Sequence, residues 1–233
     1  KNYKNYALYL IDDSSMEFPR GILRSCIVVS ICEEGGEIKL VNVSKDTYLP
    51  LNTGTFNKCG SAYSSNGAVG MQETISSSLD IEVDGYIAFN YTYIQQFVDE
   101  IGGIWIDVNI SQEERESLNT MTQSVKGLLG CDELPVLENG HQKLNGMQVA
   151  YYCYMLSRSS VVDGYLEKQL DVLNAVNTQL NTLSEVDRYN ICAVYYNFLY
   201  TDIDLKDFTE WEEDRADYRI AGQTCFPNED RSE

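Results

Sequence analysis

Apolar positions dominate three early segments, residues 6–11, 22–31 and 37–43, each short and rich enough in β-branched and aromatic side chains to predict a strand. Glu33-Glu34-Gly35-Gly36 supplies the turn between the second and third, so the opening is antiparallel. The period then lengthens. A helix is predicted over about 69–79, followed by a strand at 85–90. Ile94, Phe97, Val98 and Ile101 recur at i, i+3, i+4 and i+7, with Gly102 as the stop. Residues 104–108 read as another strand.

Beyond this point residues 112–129 form a charged amphipathic excursion that ends at Gly130-Cys131-Asp132 and continues as a loop through Gly140. It is expected to be a surface insertion near 111–140. Helical spacing returns at Val149, Tyr152, Cys153 and Leu156, again at Leu166, Leu170, Leu173 and Leu180, and again at Ile191, Val194, Tyr195 and Phe198. A further helix starts at 205–211, and residues 218–221 read as an edge strand. This order predicts an α/β (αβα) fold with a central mixed, largely antiparallel sheet flanked by helices. No repeat of fixed period is visible, and 233 residues without a Pro/Gly/Ser-rich linker read as a single domain over 1–233.

Charge narrows the function. Seventeen Lys and Arg against 36 Asp and Glu give a net charge of −19, which argues against nucleic acid as a partner. Seven cysteines show no C-x-x-C pair and the sole histidine, His141, reads as a turn residue, so zinc-site spacing is missing. Cys26, Cys32, Cys153 and Cys192 sit among apolar neighbours, as small buried side chains do. Neither a G-x-S-x-G elbow nor a phosphate loop of the G-x-x-x-x-G-K-[ST] type is present. No run of 18 apolar residues occurs.

Several short motifs follow one another in a fixed order: Ile11-Asp12-Asp13, Arg24-Ser25-Cys26, Ser44-Lys45-Asp46-Thr47-Tyr48, Lys58-Cys59-Gly60-Ser61-Ala62-Tyr63, and Val98-Asp99-Glu100-Ile101-Gly102-Gly103-Ile104. They continue through Leu144-Asn145-Gly146-Met147-Gln148 and Glu167-Lys168-Gln169 to Tyr200-Thr201-Asp202-Ile203. In order and spacing the series resembles the LytR-CpsA-Psr family of bacterial envelope proteins, along nearly the whole chain. The resemblance implies an extracytoplasmic domain tethered to the cell membrane by an N-terminal helix that precedes this chain. It also implies a cleft for a polyprenyl-pyrophosphate-linked glycan, and magnesium-assisted phosphotransfer of that glycan to the cell wall.

Carried over position by position, the resemblance makes Asp13 the first metal-associated carboxylate, with Asp12 on the opposite face of the strand. The second family aspartate is Cys26 here, a poor ligand for Mg²⁺, so metal binding should be weakened. Lys45 replaces a phosphate-holding arginine, keeping charge but losing the planar fork. Catalytic positions are therefore Asp13, Lys45 and Asp46, although Asp46 also suits a turn-orienting role. Arg24, Lys45 and Lys58 are cations for the ligand. From the end of the 145–156 helix onward the family carries several arginines, and here Tyr154, Tyr165 and then Lys168-Gln169 stand in their place as expected ligand-binding residues, the two tyrosines suiting packing equally. Arg158 is a replacement cation if it reaches inward. Each charge-assisted hydrogen bond is worth about 1.5–3 kcal/mol, so such losses imply weakened or lost transfer with lipid-glycan binding retained. A noncatalytic interaction or wall-binding module is the alternative.

Overall fold

The computed structural model describes residues 3–119, 122–158, 164–213 and 218–227. It divides into two compact units, one formed by Lys1–Phe89 with Tyr196–Glu233 and the other by Asn90–Tyr195.

Unit 1 is a six-stranded mixed sheet in the order β10-β3-β2-β1-β6-β9. β1 (Lys4–Asp12), β2 (Ile22–Cys32) and β3 (Glu37–Val43) form the expected antiparallel meander. The predicted turn is a short 3-10 segment closed by Gly36 in the left-handed region, at φ 58°. β4 (Tyr48–Pro50) and β5 (Phe56–Lys58) make a small separate hairpin. β6 (Gly85–Asn90) pairs antiparallel with β9 (Tyr200–Thr201), while β10 (Arg219–Phe226) runs parallel to β3 on the far edge. α1 (Ser61–Leu79) begins eight residues before its predicted start and is interrupted at Gly67. Serines and small residues in its first half carry no apolar period, which is why the sequence marks only the second half. The core gathers Ala7, Tyr9, Ile11, Cys26, Val28, Met71, Ile75 and Tyr86. α8 (Leu205–Glu213) completes the described helices of this unit.

In unit 2, α2 (Tyr91–Glu100) starts where the Asn90 side chain accepts the Tyr93 amide at 2.9 Å. β7 (Ile104–Val108) pairs antiparallel with β8 (Gly140–Leu144), so His141 lies in a strand rather than a turn. Its ring stacks on Trp105 at 5.3 Å, and its Nδ1 lies 3.1 Å from Asp107. Residues 140–144 alternate too weakly in hydropathy to signal a strand, and pairing with β7 decides their conformation. The excursion folds as α3 (Gln112–Asn119) and α4 (Thr122–Leu129). Buried Val125 and Leu129 anchor α4, and Gln95 donates to the Leu129 carbonyl at 3.1 Å. α5 (Gly146–Leu156), α6 (Tyr165–Leu180) and α7 (Glu185–Tyr196) follow.

Two motifs meet at the packing of α2 on α5. Asn145 and Gln148 form a reciprocal capping box at the start of α5. The Asp99 carboxylate accepts the Gly146 amide at 2.7 Å. A Cβ on Gly146 would stand 1.9 Å from the Gln95 carbonyl oxygen, so the two helices approach at a distance only glycine allows. Gly102 and Gly103, with φ of 87° and 83°, turn the chain from α2 into β7. These motif residues build the scaffold.

Candidate functional site

At the end of β1 the Asp12 carboxylate is nearly enclosed. One oxygen accepts from Arg24 Nε at 3.0 Å and Nη2 at 2.5 Å, the other from the Ser14 amide at 3.1 Å and hydroxyl at 2.6 Å. Burial by itself would raise this carboxyl, yet the Ser14 and Arg24 hydrogen bonds together with the guanidinium charge hold it below its ordinary value. Arg24, expected to face a ligand, is thus engaged by Asp12. Ser14 was not among the expected site residues, although an Asp-x-Ser step at a strand end is the signal of such a local turn. Asp13 follows the strand, half-buried, and its carbonyl accepts the Met16 amide at 3.0 Å.

Cys26 lies opposite Tyr9 in the β1–β2 register and is wholly buried. Burial, with Cys59 nearby, pushes its thiol well above the ordinary value, so a neutral S–H occupies this position. Burial likewise pushes Cys59 up to about 12.

The Ser44-Lys45-Asp46-Thr47 corner folds as a tight turn. The Thr47 amide donates to the Ser44 carbonyl at 3.1 Å, and the Asp46 amide to the Ser44 hydroxyl at 3.3 Å. The start of α1 holds it from below: Cys59 donates to the Thr47 carbonyl and Gly60 to the Lys45 carbonyl, both at 2.8 Å. A Cβ on Gly60 would lie 3.3 Å from Lys45, and glycine therefore suits this junction. Lys45 Nζ reaches Asp46 Oδ2 at 2.5 Å, and Lys58 Nζ reaches Asp46 Oδ1 at 3.0 Å. Asp46 is accordingly a counter-ion bridging two lysines. Its hydrogen bond and charge raise the Lys58 ammonium above its ordinary value. Lys45 is the more sheltered cation, its side chain 15% exposed against 52% for Lys58.

The remaining expected residues belong to unit 2. Tyr154 is buried on α5, its ring 6.3 Å from that of Tyr91. Gln169 is also buried and donates to the Leu156 carbonyl at 3.2 Å, tying α6 to the end of α5. Tyr165 and Lys168, on the first turns of α6, are half-buried, as is Arg158 just past α5. The Arg158 amide donates to the Met155 carbonyl at 3.1 Å. The structure therefore brings Lys45, Asp46 and Lys58 together in unit 1, and joins Arg24 to Asp12 beside Asp13. Among the described residues no group of three or more His, Cys, Asp or Glu side chains is placed to hold a metal.

A mixed sheet covered by helices, with a lysine-bearing corner packed on the first helix, defines an α/β protein of the architecture expected above. The LytR_cpsA_psr family profile matches residues 24–223, and the chain belongs to that family. Among curated relatives, polyisoprenyl-teichoic acid–peptidoglycan teichoic acid transferase TagV of Bacillus subtilis is 24% identical over 187 residues, 78% of this chain and 45% of the relative. The chain thus spans less than half the length of that relative. The crystal structure of B. subtilis TagV matches with a TM-score of 0.76 at 21% identity, covering 97% of this chain and 84% of the other. The LytR-CPS2A-psr family protein YwtF (TagT) with bound octaprenyl pyrophosphate lipid matches with a TM-score of 0.67 at 17% identity, over 97% and 77% of the two chains. The described helices include none long and apolar enough to cross a membrane.

Proposed function

We propose that this chain is the extracytoplasmic part of a membrane-tethered envelope protein that binds a polyprenyl-pyrophosphate-linked wall glycan, with a phosphotransfer site weakened or lost. The carrying observation is the Lys45–Asp46–Lys58 cluster, two ammonium groups gathered on one carboxylate at the corner where the family places its phosphate-holding residue. Family membership and the lipid-bound TagT structure with this fold support the ligand class. A pyrophosphate entering the corner would compete with Asp46 for both lysines, drawing on charge-assisted hydrogen bonds from each. Asp13 would then be the carboxylate nearest the family's catalytic position.

Magnesium is the group the family implies, and with Asp13 the one expected carboxylate ligand left, these residues fit it poorly. The cation selects hard oxygen donors in octahedral geometry, whereas Cys26 offers a buried neutral thiol and Asp12 already accepts from Arg24 and Ser14. No step is therefore assigned to a metal. In sequence register Tyr154 stands where the family carries an arginine, so one of the fixed charges that would stabilise a phosphotransfer transition state is missing from this chain. Losing about 4 kcal/mol of such stabilisation slows a reaction roughly a thousandfold.

Thermal unfolding with octaprenyl pyrophosphate, with and without Mg²⁺, tests the reading. The expected result is stabilisation that does not depend on Mg²⁺ and that Lys45→Ala reduces, together with transfer from a lipid-linked glycan at least about a thousandfold below that of a competent family member. Robust transfer abolished by Asp13→Ala and Lys45→Ala would overturn the weakened site. Lack of any stabilisation would overturn lipid-glycan binding and leave a noncatalytic interaction module.

A further inference from the structure

A recess in unit 1 lies where the loop after β1 meets the first turns of α1. Its volume is about 270 Å³, just below the roughly 300–1,000 Å³ of small-molecule sites, so it accommodates one ring rather than a chain. The break in α1 opens its wall. Gly67 has φ 66° and ψ −157°, a conformation essentially reserved for glycine, yet a Cβ there would meet nothing within 4 Å. Packing therefore does not impose the break.

The lining has a particular chemistry. Tyr63 forms the floor, its ring buried and its hydroxyl donated to the Pro19 carbonyl at 2.8 Å. Tyr200 stands at the side, 41% exposed, with its ring 5.7 Å from that of Tyr86. Ser64, Ser65 and Asn66 are exposed, and their side chains hydrogen-bond to no described residue. Arg20 is the one charged group among the described lining residues and pairs with no described carboxylate. In a chain of net charge −19, a recess with one cation and no carboxylate among its described lining residues is a local site of anion preference.

We propose that this recess binds a single pyranose bearing an acidic substituent. The Tyr200 ring packs on the sugar face, the side chains at 64–66 exchange hydrogen bonds with its hydroxyls, and Arg20 pairs with its carboxylate or phosphate. The inference rests on the envelope-glycan reading above and gives it a sugar subsite. The acidic sugar belongs either to the wall acceptor or to the phosphorylated head of the donor, and both present the same chemistry to Arg20.

Calorimetric titration of the whole chain with three soluble probes tests the assignment: N-acetylglucosaminyl-N-acetylmuramic acid, N-acetylglucosamine 1-phosphate, and neutral N-acetylglucosamine. At least one acidic probe should bind about tenfold more tightly than the neutral one, the gain expected of one charge-assisted contact. Arg20→Gln should erase that difference, and Ser65→Trp should block all binding, with unfolding temperatures unchanged in both variants. Preference for the muramic acid probe assigns the recess to the acceptor, and preference for the phosphate assigns it to the donor head. Equal affinity for neutral and acidic probes, no binding of any, or an unaffected Arg20→Gln variant would overturn the proposal. These probes carry no lipid, so sugar binding without stabilisation by octaprenyl pyrophosphate would sink the lipid reading alone, and the converse would sink the recess alone.

Discussion

Gly146→Ala should destabilise the chain by about 3 kcal/mol, the upper end for an overpacked contact, because the added methyl would fall 1.9 Å from the Gln95 carbonyl oxygen. Backbone, not a flexible side-chain tip, occupies the space, so α5 has to move off α2 to accommodate it. That movement also stretches the 2.7 Å bond from the Gly146 amide to Asp99 and disturbs the capping box beside it. For a chain of this size the loss corresponds to a fall of roughly 6–12 °C in Tm. Gly127→Ala, inside α4 with open space around the new methyl, is the control and should be neutral or stabilising by up to about 1 kcal/mol. Denaturant midpoints of the two variants decide the matter. A Gly146→Ala variant within 0.5 kcal/mol of the parent, roughly the spread of ordinary surface changes, would show that the helices do not meet so closely.

Asp12→Ala is the second large effect, expected at about 3–5 kcal/mol, since it leaves the Arg24 guanidinium enclosed without its partner. Only 5% of the Asp12 side chain and 16% of Arg24 are exposed, so water screens the pair little. Asp12→Asn keeps an acceptor for Ser14 and should cost less. The pH dependence has a definite sign. The folded carboxyl titrates below the ordinary 3.8, so the unfolded chain binds the proton first as pH falls. The stabilisation from Asp12 is complete above the ordinary carboxylate value and is lost as pH drops through the folded one. Urea titrations from neutral pH downward should therefore show the parent and Asp12→Asn converging below pH 3.8. A constant gap across that range would remove the ion pair as its cause.

Elements whose identity lives in local periodicity were legible. The first three strands, α2, α5 and α6 follow from spacing alone, because each buries a continuous apolar face. Hairpin β4–β5 and strand β8 were not, since short polar segments become strands only when a partner accepts their backbone hydrogen bonds. At the site, sequence order located the Lys45 corner but not the competition for its cations. That Asp46 bridges Lys45 and Lys58, and that Asp12 engages Arg24, are consequences of side chains folding back over local turns. Tyr154 shows the reverse limit. An aromatic residue at a position aligned with a cation reads equally as ligand contact or core, and its burial beside Tyr91 is visible only in the folded chain.

The edge strand β10 completes the sheet beside β3, and its last residue extends that pairing past the strand: the Ser44 amide donates to the Phe226 carbonyl at 2.8 Å. The lysine corner is therefore braced by a segment made long after it during synthesis. A chain lacking 219–226 leaves β3 as an open template for foreign strands, so β10 both braces the corner and shields the sheet edge from aggregation.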